Sequence, residues 1–268
     1  MKPKSVYIIV EGPHDSSVIS RIIRKNGLGF SPVSLRNEVD AYWDSLIPKS
    51  FPQENQDGQP EFGRVQVPDF LKTVDQMVAI QTAGGITKLP GLLKDDLELL
   101  GPTGPDAIGI IIDADLTTAA EAYGNFVTAA RECGLQFGAN AGSVADGPPR
   151  VGVFVLPDNN RTGTLEDTML ECAASAYPQM LPLADTVATT VRGALDGNAD
   201  WLSSPERDDF NRPAGMNKVR VSVLGAVMKP TYAIGNSYRQ QNWVSKHTLA
   251  LPLLGQLSAF LTALIGDR

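Results

Sequence analysis

The chain is short of the residues that build disulfide frameworks and zinc sites. Its 268 residues hold two cysteines, Cys133 and Cys172, far apart and without CxxC spacing. That excludes a disulfide scaffold and a structural zinc site, and it fits a reducing compartment. Histidine is as scarce: His14 and His247 are too few for a multi-histidine metal cage. The most apolar stretch, residues 249–265, is broken by Pro252, Gly255, Gln256, Ser258 and Thr262, so it falls short of the ~20 apolar residues that a membrane helix needs. Lys2 and Lys4 precede a short apolar run that meets Glu11 at once, with no small-residue cleavage site. The expectation is a soluble, unexported, cytoplasmic protein with no membrane partner. Positive charge is also in deficit, with 23 Lys and Arg against 30 Asp and Glu for a net charge of −7. This is the wrong sign for coating nucleic acid by bulk electrostatics, so a nucleic-acid partner has to be held locally or through metal. Trp43, Trp201 and Trp243 are widely spaced and form no basic-aromatic stripe. No GxxxxGK[ST] loop occurs, which excludes a P-loop ATPase in this chain.

What is present is a repeated strand-then-helix grammar in a chain that is 43% hydrophobic, enough for a sizeable core. The β-branched run at residues 5–10 (SVYIIV) ends in Glu11-Gly12-Pro13 and passes into a helical pattern from His14 to Gly27. Similar units follow: residues 107–112 (AIGIII) into Asp113-Ala114-Asp115 and a helical stretch at 117–133, and 151–156 (VGVFVL) into Pro157-Asp158-Asn159. A weaker strand at 77–81 precedes Ala83-Gly84-Gly85 and a helix-like segment at 86–100. This alternation predicts an α/β fold with a mainly parallel sheet flanked by helices. Residues 1–172 would form that domain. Within it, residues 30–75 would be an insertion or mobile flap, since 30–68 carry scattered prolines and glycines and the polar run FPQENQDGQPEFG. Residues 173–268 would be a helical extension packed on the same domain, punctuated by Pro178, Pro182, Pro205 and Pro213 and closed by an apolar-periodic helix over 251–265.

In open parallel sheets ligands bind beyond the carboxyl ends of the strands, and this sequence delivers acids there. Glu11 with Asp15, Asp113 with Asp115, and Glu166 with Asp167 each follow a strand or its loop. Two or three such carboxylates suit a hard divalent cation, Mg²⁺ or Mn²⁺, in phosphoryl-transfer chemistry. Each part also has a plain structural explanation. Glu-Gly can be an ordinary turn, Asp115 can cap a helix, and Glu166-Asp167 can complement a helix dipole behind Thr164.

The motif VEGPHD after one strand and DAD after another, with a βαβ sheet between, resembles the TOPRIM domain of topoisomerases, bacterial primases and nucleases of the overcoming-lysogenization-defect (OLD) type. The resemblance implies a catalytic glutamate at Glu11 and metal ligands at Asp113 and Asp115. It also matches Asp15 to the acid that nuclease-type members place four residues after the glutamate. AGGITKL at 83–89 and LPDNNRTGTLEDTML at 156–170 resemble a TOPRIM-like group of small bacterial proteins. Nuclease-type relatives use a later acid for a second metal, which makes Glu166 and Asp167 candidates, and they place a lysine after the sheet, which singles out Lys218. The likeness runs over residues 5–172 in motif order, with Phe30 to Pro68 outside it. Strand-passing and tyrosine parts of topoisomerases and the zinc-binding parts of primases have no counterpart here.

The expectation is thus a free-standing metal-dependent nuclease acting on DNA or RNA, with Glu11, Lys88 and Lys218 catalytic and Glu11, Asp15, Asp113, Asp115, Glu166 and Asp167 on the metal. Lys88 follows a Gly84-Gly85 turn whose backbone N–H groups are open to a phosphate, and Arg161 and Arg220 are further cations. His14 between two acids is a candidate base or a helix cap, and Asp158 and Asn159 either touch the site or make a turn. The rival is a non-catalytic nucleotide- or metal-binding subunit of a larger, ATPase-containing complex. A third reading is hydrolysis of a small phosphate ester. The likeness to OLD-type proteins makes a separate ATPase subunit a candidate partner, and the apolar C-terminal helix leaves a homo-oligomer open.

Overall fold

The computed structural model describes residues 3–50, 53–54, 58–61, 67–197, 200, 205–212 and 214–266. Much of the polar run at 51–63, Trp201 and Pro213 lie outside the described residues. The first half of the chain forms β1 (Lys4–Val10), α1 (Pro13–Lys25), β2 (Ser31–Pro32), β3 (Gln53–Glu54), β4 (Pro60–Glu61), β5 (Asp69–Lys72), β6 (Gln76–Thr82), α2 (Leu89–Leu100), β7 (Ala107–Asp113) and α3 (Ala119–Ala129). After these come β8 (Val144–Ala145), β9 (Arg150–Leu156), α4 (Leu165–Ala176), α5 (Leu181–Asp196), α6 (Pro205–Asn211), α7 (Gly215–Met228), α8 (Ile234–Gln240) and α9 (Pro252–Ile265).

The main sheet has the order β2-β5-β6-β1-β7-β9-β8. Its centre, β6-β1-β7-β9, is parallel, while β5, β2 and β8 attach antiparallel at the edges. Strands buried on both faces read as continuous apolar runs because each alternate side chain meets a different core. In β1, Val6, Ile8 and Val10 enter the core shared with α1, α4 and the C-terminal helices. Tyr7 and Ile9 enter the core under α2 and α3. This is an α/β fold with helices on both sides. The helices past residue 172 cover the same sheet, and α9 lays Leu257, Phe260, Leu261 and Leu264 into its core, so the apolar face of that helix is used within the chain. No helix among the described residues is long and apolar enough to cross a membrane.

Two strand glycines decide how α9 seats. Gly109 of β7 and Gly152 of β9 stand directly opposite each other. A Cβ on Gly109 would lie 2.4 Å from Leu264 Cδ2, and one on Gly152 would lie 2.7 Å from Phe260 Cε2. The bare backbone is the notch that lets the helix approach the sheet.

Much of the stretch expected as an insertion or flap, residues 30–75, joins this architecture, while β3 and β4 pair with each other in a separate two-stranded sheet. Ser31–Pro32 and Asp69–Lys72 extend the sheet, and Phe30, Trp43 and Phe70 are buried. Trp43 stacks on Tyr7 with ring centroids 6.4 Å apart and meets Phe70 at 6.2 Å. Proline and glycine hid these strands, since they are short edge strands where the missing N–H of Pro32 costs little.

Gly109→Ala is expected to destabilise the protein by about 1–3 kcal/mol through overpacking against Leu264. In a Leu264→Ala background the same change should cost much less, which urea unfolding of the double-mutant cycle would measure.

Candidate functional site

β1 and β7 are neighbours and end at the same edge, so Glu11 and Asp113 meet there. The Asp113 N–H donates to Glu11 Oε1 at 2.8 Å. The Glu11 carbonyl accepts from Gly84 and Gly85 N–H at 2.9 and 3.0 Å. Glu11 is therefore fixed through both its side chain and its backbone, and the Gly84-Gly85 N–H groups, expected to be open to a phosphate, are spent on it. Asp15 lies in the first turn of α1, where its Oδ2 accepts from the Gly12 N–H at 2.8 Å. It is buried.

The DxD loop is tied to the start of α4. Asp113 Oδ1 accepts the Leu165 N–H at 2.9 Å, occupying one of the unpaired donors at that helix end. Asp115 has φ +52, an uncommon conformation for a residue with a side chain. A two-way backbone bridge to Gly163, 2.9 Å in each direction, holds it there. Gly163 has φ +137, and a Cβ on it would lie 2.7 Å from Asp167 Oδ2. Glu166 is buried with its Oε2 accepting from Thr164 Oγ1 at 2.8 Å. Asp167 closes the capping box, accepting Thr164 N–H at 2.8 Å through Oδ2, while its Oδ1 takes Asn217 Nδ2 at 3.0 Å.

These acids lie in one another's field. Burial raises the Asp113 carboxyl well above its ordinary value, and Asp15, Glu11, Glu166 and Asp115 push the same way. Burial, then the Glu11 charge, raises Asp15 to about 7. Glu11 is raised by burial first and by Asp115, against the opposing pull of the Asp113 N–H, Lys218 and the Ile86 N–H. Glu11, Asp15, Asp113, Asp115 and Glu166 are thus brought together, while Asp167 serves the cap with both oxygens engaged. The donor set is all oxygen, which suits a hard divalent cation, and Asp113 Oδ2 accepts no hydrogen bond among the described residues. As the side chains stand, no group of three or more His, Cys, Asp or Glu among the described residues could hold a metal ion. Caps hold one oxygen of several of these carboxylates, so gathering them on a cation requires the remaining oxygens or a rotation away from the cap.

Of the expected cations, Lys218 on α7 is exposed and its charge reaches Glu11 and His14. Lys88 is exposed at the start of α2. Arg161 is paired with Asp158 at 2.7 Å, and Arg220 with Asp185 at 2.8 Å and with Asn217, so both are engaged in local structure. His14 packs edge-on to Tyr238 at 6.0 Å, and burial lowers its pKa against the pull of Glu166. It is held neutral. Asn159 makes a left-handed turn at φ +63, and its Oδ1 accepts the Val155 N–H at 2.8 Å. The sequence did not point to Asn217 or Tyr238. The buried Tyr238 ring lies close enough to Glu166 and Asp15 for their charges to add to burial in raising its phenol. Both residues come from helices beyond the last recognisable motif, and only the fold brings them back to the edge.

The profile of DUF3226, a protein family of unknown function, matches residues 5–262. Among solved structures, a hypothetical protein, PH0156, from Pyrococcus horikoshii OT3 is similar in fold, with a TM-score of 0.51 and 18% identity over 97% of this chain and 95% of that one. No curated protein matches.

Two outcomes follow from the geometry. Asp167→Ala removes a cap and should cost about 0.5–2 kcal/mol in thermal or urea unfolding, while Glu166→Gln should weaken divalent-cation binding, read by calorimetry. The raised carboxyls also set a pH dependence. A carboxyl whose folded pKa lies above its unfolded value binds its proton more tightly in the folded state, so its contribution is complete below the unfolded value and is lost as pH rises through the folded one. In EDTA the Asp15 contribution should therefore be lost as pH climbs from near 3.8 through about 7, so the melting temperatures of Asp15→Asn and wild type should diverge over that window in favour of the variant.

Proposed function

We propose that this chain, which belongs to the DUF3226 family of proteins of unknown function, is a divalent-metal-dependent nuclease with a TOPRIM-type acidic centre. The observation that carries the proposal is the convergence of Glu11, Asp15, Asp113, Asp115 and Glu166 at the carboxyl edge of a parallel sheet, where burial and the neighbouring acids raise the carboxyls of Glu11, Asp15 and Asp113. Clustered acids without compensating cations are costly. A bound cation removes that cost, and scaffolding alone gives no reason to assemble them. The order of the acids along the chain and their strand-end positions support the TOPRIM resemblance.

In this proposal Glu11, Asp15, Asp113 and Asp115 hold Mg²⁺ or Mn²⁺, and Glu166 contributes to a second ion. Such a cation supplies Lewis-acid polarisation of a phosphoryl oxygen and lowers the pKa of water. Glu11, oriented by the Asp113 N–H, is placed to hold the cation or to accept the proton of the attacking water. Lys218, whose field reaches Glu11, stabilises charge developing on the phosphate. Lys88, exposed at the rim beside the Glu11-bound turn, binds the flanking backbone of the substrate. The substrate is DNA or RNA held at this edge, since the net charge of −7 gives no general attraction to a polyanion.

A second reading, a non-catalytic nucleotide- or metal-binding subunit that works with a separate ATPase, is favoured by the engagement of several carboxylates in caps. The two part on one experiment: cleavage of single-stranded, duplex and supercoiled DNA and of structured RNA, with Mg²⁺, Mn²⁺ or EDTA. Metal-dependent cleavage is expected, with Asp113→Asn or Asp115→Asn lowering the rate by about 100-fold or more while leaving the melting curve cooperative. Cleavage by these variants at the wild-type rate would overturn the assignment. Metal binding with no cleavage of any polymer would favour the subunit reading.

A further inference from the structure

On the other side of the DxD loop from Asp15 and Glu166 lies a cavity of about 390 Å³ between the start of α2 and one face of α3. Its walls include Pro90, Ile112, Ala122 and Phe126, and Asp113 and Asp115 stand in its lining. Thr87 and Asn125 also line it, and neither side chain makes a hydrogen bond within the described residues. Ile86, which lines it, and Leu116, between the lining residues Asp115 and Thr117, are 38% and 75% exposed. Apart from the two aspartates the lining is uncharged. The volume lies in the range of small-molecule sites, which combine apolar walls with a few placed polar groups.

We propose that this cavity receives one unstacked nucleobase of the substrate, packed against Phe126 and read by Asn125, while the adjoining phosphate lies over the carboxylates. The inference rests on the nuclease proposal and deepens it by naming the form of the substrate. A chamber with apolar walls and no cation in its lining does not attract a phosphate, but it suits the face of a base. The unpaired amide of Asn125 offers a donor and an acceptor to a base edge. Because the aspartates line the same cavity, a ligand filling it has its sugar and phosphate beside the DxD loop. A base within a duplex is stacked on both faces and enters only after it has been unpaired and unstacked, which a single strand avoids. The preferred substrate is therefore a single strand, a frayed end or a loop rather than the interior of a helix.

The test begins with the metal-free full chain in EDTA. Adenosine, guanosine, cytidine and uridine are titrated by calorimetry or amide NMR, with ribose 5-phosphate as the control. At least one nucleoside should bind and ribose 5-phosphate should not. Asn125→Ala, at an exposed position, and Ala122→Phe, which fills the chamber, should each weaken that binding about tenfold or more, in line with the loss of stacking or edge contacts. A melting curve checks that Ala122→Phe is folded, and Asn125→Ala carries the test if it is not. With metal, the same variants should lose preference for single-stranded over duplex oligonucleotides. If no nucleoside binds the wild type, or if folded variants keep both affinity and strand preference, the pocket assignment fails while the nuclease assignment stands. If nucleosides bind and the variants abolish it, yet no polymer is cut, the pocket stands and the nuclease assignment fails.

Discussion

Repulsion among Glu11, Asp15, Asp113, Asp115 and Glu166 is the constraint around which this edge of the molecule is built. A parallel sheet ends all its central strands on one side, so acids at consecutive strand ends must crowd. The fold contains that crowding with backbone donors, helped by the Lys218 charge that reaches Glu11. The Gly12, Asp113 and Leu165 N–H groups each hold one carboxylate oxygen, two of them at the positive ends of helices α1 and α4. What the backbone supplies is partial charge, enough to fix the groups in place and too little to let all of them ionise freely.

The same edge has two sides of different character. Towards α1, α4 and α8 it is acidic, with His14 edge-on to Tyr238. Towards α2 and α3 it is an apolar chamber. The DxD loop lies between them, clamped to α4 through the Asp115–Gly163 bridge and the Asp113–Leu165 bond. A ligand with one charged and one apolar end would find both halves of its complement within reach of a single rigid loop, and this division supports the proposed nucleotide chemistry.

Much of this was legible in the sequence because the central strands are buried on both faces and so appear as unbroken β-branched runs, each followed by its acid. The register that puts Glu11 beside Asp113 follows from β1 and β7 being neighbours. The edges were less legible. Asp69–Lys72 and Ser31–Pro32 are too short and too proline-flanked to show periodicity, and Trp43 enters the core from a segment with no strand or long helix of its own. At the site, residue type could not separate Glu166, buried in the acidic group, from Asp167, spent on the cap. That distinction depends on where a helix begins to within one residue, which local pattern does not fix. Nor could sequence reveal that the Gly84-Gly85 donors face the Glu11 carbonyl.

The seat of α9 on Gly109 and Gly152 also governs the order in which the molecule can be completed. β1, β7 and β9 are synthesised well before the helix that covers their shared face. Until Pro252–Ile265 emerges, those strands present a bare apolar surface over the middle of the sheet, the kind of exposure that makes nascent α/β chains prone to association. A chain that ends before this helix lacks the cover that its sheet requires.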